Sequence, residues 1–169
     1  YVSEHSSYHH GENSLFNTII NMAQTFVGSN NINLLSPNGQ FGTRISGGND
    51  SASPRYIFTC LTPIARAIFC ATDDAELNYL TDDGMSIEPD FYAPIVPMML
   101  VNGSVGIGTG YSTDIPSFNI KQIVAVVRSW IQSIQNAAIW DEHECDNLTP
   151  YYHGFIGQII RTADSTKIF

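Results

Sequence analysis

Tyr56 is the residue with the most to offer a nucleophilic reaction, because Arg55 precedes it and Pro54 bends the chain just before the pair. A phenol ionises near a pH of about 10. A tyrosine nucleophile therefore needs a base or a cationic setting, and positive charge where phosphoryl oxygens gain charge. Arg55-Tyr56-Ile57-Phe58-Thr59-Cys60 is a β-prone run. On a regular strand adjacent side chains point to opposite faces, so Arg55 and Tyr56 converge only at a strand end or a bend. The competing account of a tyrosine in such a run is a cross-strand packing residue.

Three other segments carry reactive side chains. His9-His10-Gly11-Glu12 stands just before an apolar-periodic stretch. Two roles fit it: polar residues that satisfy backbone groups at a helix start, or a histidine that binds phosphate with help from the exposed N–H groups there. Spacing does not decide between them. Gly103 through Gly110 has the glycine density of a phosphate-cradling loop. It lacks the G-x-G-x-x-G frame followed by a helix, and no P-loop lysine follows, so a tight turn that lets another backbone approach is the better account. Glu142-His143-Glu144-Cys145-Asp146 holds metal-competent groups crowded too closely for a defined coordination shell, and reads as a solvated acidic loop.

The elements that must position these residues follow from periodicity. Leu15, Ile19, Met22, Ala23 and Phe26 make one apolar stripe, with Asn17, Asn21 and Gln24 off it, and predict a helix over about Asn13 to Val27. Gly28 to Ser53 is rich in Gly, Asn and Ser with short apolar islands, which suits loops and small strands. Thr62-Pro63 supplies a cap and a proline at the first position of a helix that runs to about Phe69. Asp73 to Asp90 is acidic and turn-rich, with Asp82-Asp83-Gly84 as its clearest turn, and reads as a boundary or exposed connection. A second amphipathic helix spans Ile120 to Gln135, with Ile120, Ile123, Val127, Trp130, Ile131 and Ile134 on one face. Tyr151 to Phe169 alternates loosely and predicts strands.

With 169 residues, 43% of them hydrophobic, the chain can bury a real core. It has no apolar stretch of the roughly 20 residues that a membrane-spanning helix needs, and its first residues lack a signal peptide's pattern. It reads as a soluble intracellular chain. Cys60, Cys70 and Cys145 have neither the even count of a disulfide framework nor zinc-site spacing. The net charge of −9 argues against a DNA-gripping protein. Eleven of the sixteen acids, however, lie in the two segments Asp73–Asp90 and Asp141–Asp146, leaving residues 1–56 near neutral. DNA affinity would have to come largely from elements outside this chain.

Tyr8-His9-His10-Gly11-Glu12, Phe26-Val27-Gly28-Ser29-Asn30-Asn31, Gly39-Gln40-Phe41-Gly42-Thr43-Arg44, Ser51 through Thr59 and Asn102 through Gly110 resemble successive signatures of eukaryotic-type type IIA DNA topoisomerases. Tyr151-Tyr152-His153-Gly154-Phe155-Ile156-Gly157 resembles a later pattern of that family. Departures are Tyr111 and Tyr151 where the family has tryptophan, and His153 where a basic residue is usual. The resemblance implies that Tyr56 is the nucleophile that forms a 5′-phosphotyrosyl bond, with Arg55 and His10 assisting at the scissile phosphate. Ile107, between Gly106 and Gly108, matches an isoleucine that wedges between base pairs. The same match assigns His9, Gln40 and Arg44 to DNA contact.

The implied fold is α+β: residues 1–72 form the C-terminal part of a winged-helix (CAP-like) domain, and 73–169 begin a tower domain. The implied activity is ATP-dependent double-strand cleavage and religation by a homodimer in the nucleus, or at a viral replication site. Mg²⁺ and ATP are expected on domains outside this chain, because no Asp-x-Asp here suits the metal, and the chain alone is expected to be inactive. The alternative is a non-catalytic winged-helix DNA-binding or scaffold module. A nucleotide-binding enzyme using Gly103 to Gly110 is a more distant third.

Overall fold

The computed structural model describes residues 1–160. In chain order these form α1 (Val2–His5), α2 (Glu12–Ala23), α3 (Pro63–Ile68), a hairpin of β1 (Tyr79–Asp82) and β2 (Met85–Pro89), α4 (Met98–Val101), a hairpin of β3 (Ser104–Gly108) and β4 (Tyr111–Ile115), and α5 (Ile120–Gln135). Short 3₁₀ turns occupy Arg44–Ser46, Pro54–Tyr56, Asp73–Glu76 and Glu142–Asn147. Both sheets are two-stranded and antiparallel, so the mixed helix-and-strand class expected from the sequence holds. The chain divides into two compact units, Tyr1–Pro97 and the remainder from Met98.

In the first unit one core cluster is Ile20, Ala23 and Phe41, with Leu35 and Ile57 packed against it, and Ala65, Ile68 and Val96 are buried as well. The helical period was right, but both the face and the end of the helix differ from expectation. Leu15, Ile19 and Ala23 of the expected stripe are buried or half-buried, but Phe16 and Ile20 join them and Met22 is exposed, so the inward face is shifted. Gln24 turns to extended backbone at ψ 140°, so the helix stops before Phe26. Phe41 and Ile57, distant in sequence, determine which face goes inward.

The β-prone run after Pro54 is also corrected. Residues 54–56 form a 3₁₀ turn, and pairing begins only beyond it, through isolated antiparallel bridges of Asn38 with Phe58 and Leu35 with Leu61. Pro54 has no N–H to give a ladder, and its fixed φ suits a helical turn. Thr62 caps α3 as expected, its side chain accepting from the Ala65 N–H, with Pro63 at the first position. The acidic connection is mostly exposed, as expected, but beyond the Asp73–Glu76 turn it pairs as a hairpin, with a shift of register between Tyr79 and Thr81. Its turn at Asp83 and Gly84 has φ of 48° and 81°, the left-handed pair that Asp-Gly favours between twisted strands.

In the second unit Val101 and Ile123 are the fully buried side chains. α5 has the predicted limits, started by Asn119, whose side chain accepts from the Lys121 N–H at 2.9 Å. Its apolar stripe is covered only at one end: Ile123 is buried, while Trp130, Ile131 and Ile134 are exposed. Tyr151 donates its N–H to Ser117 O at 2.7 Å, yet residues 151–160 form turns and loops rather than the expected strands. The rest of that expectation, residues 161–169, lies outside the described residues. Among the described residues no helix is long and apolar enough to cross a membrane. The three cysteines are free thiols.

Candidate functional site

The Tyr56 turn is anchored by its neighbours. Tyr56 N–H donates to Ser53 O at 2.9 Å and Ile57 N–H to Pro54 O at 3.5 Å, closing the 3₁₀ turn. Pro54, Ile57, Phe58 and Thr59 line one side of an apolar cleft whose other side is Phe16, Ile19, Ile20 and Phe41. Pro54 is half-buried and Ile57 packs against the core, whereas Arg55 and Tyr56 at the crest face solvent, Tyr56 being 70% exposed; Phe58 beyond them is exposed as well. In a 3₁₀ turn successive side chains are about 120° apart rather than 180°. The Arg55 guanidinium carbon accordingly lies 5.4 Å from the centroid of the Tyr56 ring, within cation–π range. Arg55 Nε also reaches Ser53 Oγ at 3.4 Å.

His9 and His10 are exposed at the start of α2. The turn is held by Tyr8, whose hydroxyl donates to Ser14 Oγ at 3.0 Å and whose ring meets that of His10 edge-on at 5.5 Å. Gly11 caps the helix at φ 85° without a side-chain acceptor, so first-turn N–H groups open next to His10. α2 packs its Phe16, Ile19 and Ile20 against the cleft shared with Pro54 and Ile57. One packed unit therefore carries the histidines and the Arg55–Tyr56 pair, and of these residues the structure brings Arg55 and Tyr56 into direct contact.

Gln40 and Arg44 lie on the loop between these parts. Both are exposed; Gln40 O accepts from Ala52 N–H at 2.9 Å, and Arg44 Nη1 donates to Val27 O at 2.8 Å. Across the loop, Asp50 accepts from the Thr43 N–H and from the Thr43 hydroxyl, both at 2.7 Å. The hydroxyl, then the N–H, hold the Asp50 carboxyl below the usual aspartate range.

Ile107 belongs to the second unit and is 94% exposed on the β3–β4 hairpin. It pairs with Ser112, and Val105 with Asp114, so Val105 and Ile107 share one face, while Gly106 and Gly108 add no side chain to the other, which carries their partners Thr113 and Tyr111. A Cβ on Gly106 would meet nothing within 4 Å, whereas one on Gly103, at φ 76°, would lie 2.7 Å from Ile115 O. Folding of the unit thus accounts for Gly103 but not for Gly106. The glycine-rich segment is a hairpin, not a loop feeding a helix. In Glu142–Asn147, His143 Nδ1 pairs with Asp146 Oδ2 at 3.0 Å. Among the described residues no three His, Cys, Asp or Glu side chains are grouped to hold a metal ion.

All of residues 1–169 match the DNA gyrase/topoisomerase IV family model. The chain belongs to that family. Its relatives place it in the eukaryotic-type branch. It is 55% identical over 163 residues to pea DNA topoisomerase 2, covering 96% of this chain and 10% of that protein. It is 52% identical over 167 residues to mouse DNA topoisomerase 2-alpha, covering 99% and 10%. Its fold matches a crystal structure of the Plasmodium falciparum topoisomerase II DNA-binding, cleavage and re-ligation domain, with a TM-score of 0.85, 49% identity and coverage of 96% of this chain and 21% of that one. The chain thus spans about a tenth of the length of the curated relatives it matches.

Within this topoisomerase family member, periodicity passed over several residues that organise the site. Gln24 stood off the expected helical stripe as an ordinary polar residue, yet it is buried. Thr43 and Asp50 close the loop before Tyr56, and Ser53 engages Arg55. The Ser53-Pro54-Arg55 spacing was a usable local signal for the last, because a proline-led turn folds residue 55 back toward 53. Burial of Gln24 depends on a loop far along the chain and has no local signal.

Proposed function

We propose that this chain is part of an ATP-dependent type II DNA topoisomerase and that Tyr56 is its nucleophile. The Tyr56 phenolate oxygen bonds to a DNA phosphorus, the bond from phosphorus to the 3′ oxygen breaks, and the 3′ oxygen leaves to take up a proton. The product is a 5′-phosphotyrosyl link, and religation is the reverse. Arg55 stabilises the charge on the phosphoryl oxygens, and His10 acts at the same phosphate. The observation that carries this reading is the exposed Tyr56 ring with the Arg55 guanidinium 5.4 Å from its centroid.

In the same proposal, Ile107 inserts into a base step and bends the duplex, with Gly106 and Gly108 admitting close approach, while His9, Gln40 and Arg44 contact the backbone. Residues 1–72 belong to a winged-helix part and the chain from 73 onward begins a tower. The whole protein works as a nuclear homodimer on double-stranded DNA. Mg²⁺ and ATP, in the same proposal, are held by other parts of the protein, and no step on this chain is routed through either.

The test is Tyr56→Phe in the full-length protein, with covalent protein–DNA adducts trapped by denaturant. The variant should bind DNA with nearly the parent affinity and form no adduct. Unchanged supercoil relaxation by Tyr56→Phe would replace this reading with the non-catalytic DNA-binding module.

A further inference from the structure

Gln24 is a buried polar side chain, 7% exposed, in the residue that ends α2. Its amide Nε2 donates to two carbonyls on opposite arms of one loop, Phe41 O at 2.9 Å and Gly48 O at 3.3 Å. The packing leaves it no slack. A Cβ on Gly48, which sits at φ 85°, would be 2.4 Å from Nε2, and a Cβ on Gly42 would be 2.5 Å from Gly48 O. Between the arms, Gly48 N–H donates to Thr43 O at 2.8 Å, and Ala52 N–H closes the loop on Gln40 O at 2.9 Å. The next residue after that closure, Ser53, accepts the N–H of Tyr56.

We infer that Gln24 is a positioning residue for the cleavage reaction, fixing the loop that presents Arg55 and Tyr56 to α2, the helix that follows His10. The inference rests on the proposed nucleophilic role of Tyr56. Both amide hydrogens are committed, one to each arm, so the loop cannot shift along α2 without leaving a buried donor or carbonyl unpaired. Apolar contacts around Ile20, Phe41 and Ile57 hold the parts together but are non-directional. The amide supplies the direction. Reacting groups tolerate little displacement, and a misplacement of about 1 Å costs on the order of 100-fold in rate.

The test uses the full-length enzyme. Gln24→Met keeps the length of the side chain and removes both donors. It should melt cooperatively, bind DNA within about twofold of the parent, and form the denaturant-trapped adduct about 10- to 100-fold more slowly in a single turnover. Gln24→Glu offers two acceptors to two carbonyls when ionised and regains one donor when protonated, so its rate relative to the parent should rise as pH falls. This pH profile decides the matter if the methionine variant does not fold. Adduct formation by Gln24→Met at the parent rate, a loss of DNA binding in step with cleavage, or a pH-independent ratio for Gln24→Glu overturns the inference. Tyr56→Phe run in parallel separates the two ideas: persistence of its adduct removes the nucleophile itself, whereas its loss beside an unimpaired Gln24→Met removes only the positioning role.

Discussion

The Arg55 guanidinium carbon lies 5.4 Å from the centre of the Tyr56 ring, although a strand would have sent these consecutive residues to opposite faces. Pro54 makes the difference by starting a 3₁₀ turn. Arg55→Ala should slow adduct formation by about 100- to 1000-fold, roughly the 2.7–4 kcal/mol lost when one preorganised donor to a developing oxyanion is removed. Arg55→Lys should recover only part of this, because an ammonium cannot reproduce the planar fork. Both side chains are exposed, so stability should change by no more than about 0.5 kcal/mol. Single-turnover adduct formation and thermal melts of each variant check both halves.

Ile107 and Gly106 offer a separation of folding from function. Ile107 is 94% exposed, and a Cβ at Gly106 meets nothing within 4 Å. Ile107→Ala and Gly106→Ala should leave the melting curve nearly unchanged, while Gly103→Ala, at φ 76° and 2.7 Å from Ile115 O, should destabilise the hairpin. DNA bending, read as end-to-end energy transfer on a labelled duplex, should fall for Ile107→Ala and Gly106→Ala. Parent-like bending by both would remove the hairpin from the DNA interface.

Asp50 sets a pH expectation. Its carboxyl is held below the ordinary aspartate value of 3.8 by the Thr43 hydroxyl and N–H. A carboxyl depressed in the folded state contributes stability that is full above its unfolded pKa and is lost as pH falls through the folded one. The loop bearing Arg44 should therefore be unaffected by pH near neutrality and loosen only below a pH of about 4. A carbon-13 titration of Asp50 should show a midpoint below 3.8. Thr43→Val should move that midpoint upward; an unmoved midpoint would show that the hydroxyl bond does not form in solution.

Phe41 links the core to the site. It is 5% exposed, packs with Ile20 and Ala23, and its carbonyl accepts from Gln24. Phe41→Ala should destabilise the first unit by about 3–5 kcal/mol, visible as a lower denaturant midpoint. Ile45→Ala on the same loop, where Ile45 is 98% exposed, should leave that midpoint unmoved. Equal effects from the two would mean that this core does not hold the unit together.

What the sequence determined by itself was local or carried by motif. The limits of α5, the Thr62-Pro63 start of α3 and the helical period after His10 follow from capping and spacing within a few residues, interactions that reach no further than the segment itself. The ordered motif blocks around His10, Gly39, Tyr56 and Gly106 were legible because residue identities, unlike contacts, are written in the chain. Tertiary structure decided which face of α2 turned inward, since Phe41 and Ile57 lie far from it in sequence. It likewise decided that Gln24 is buried, and that an acidic stretch read as a connection folds as a hairpin. It kept the Arg55–Tyr56 pair off a strand as well. A β-prone run becomes a strand only where a partner offers a ladder, and here the pairing with Asn38 and Leu35 begins beyond Tyr56.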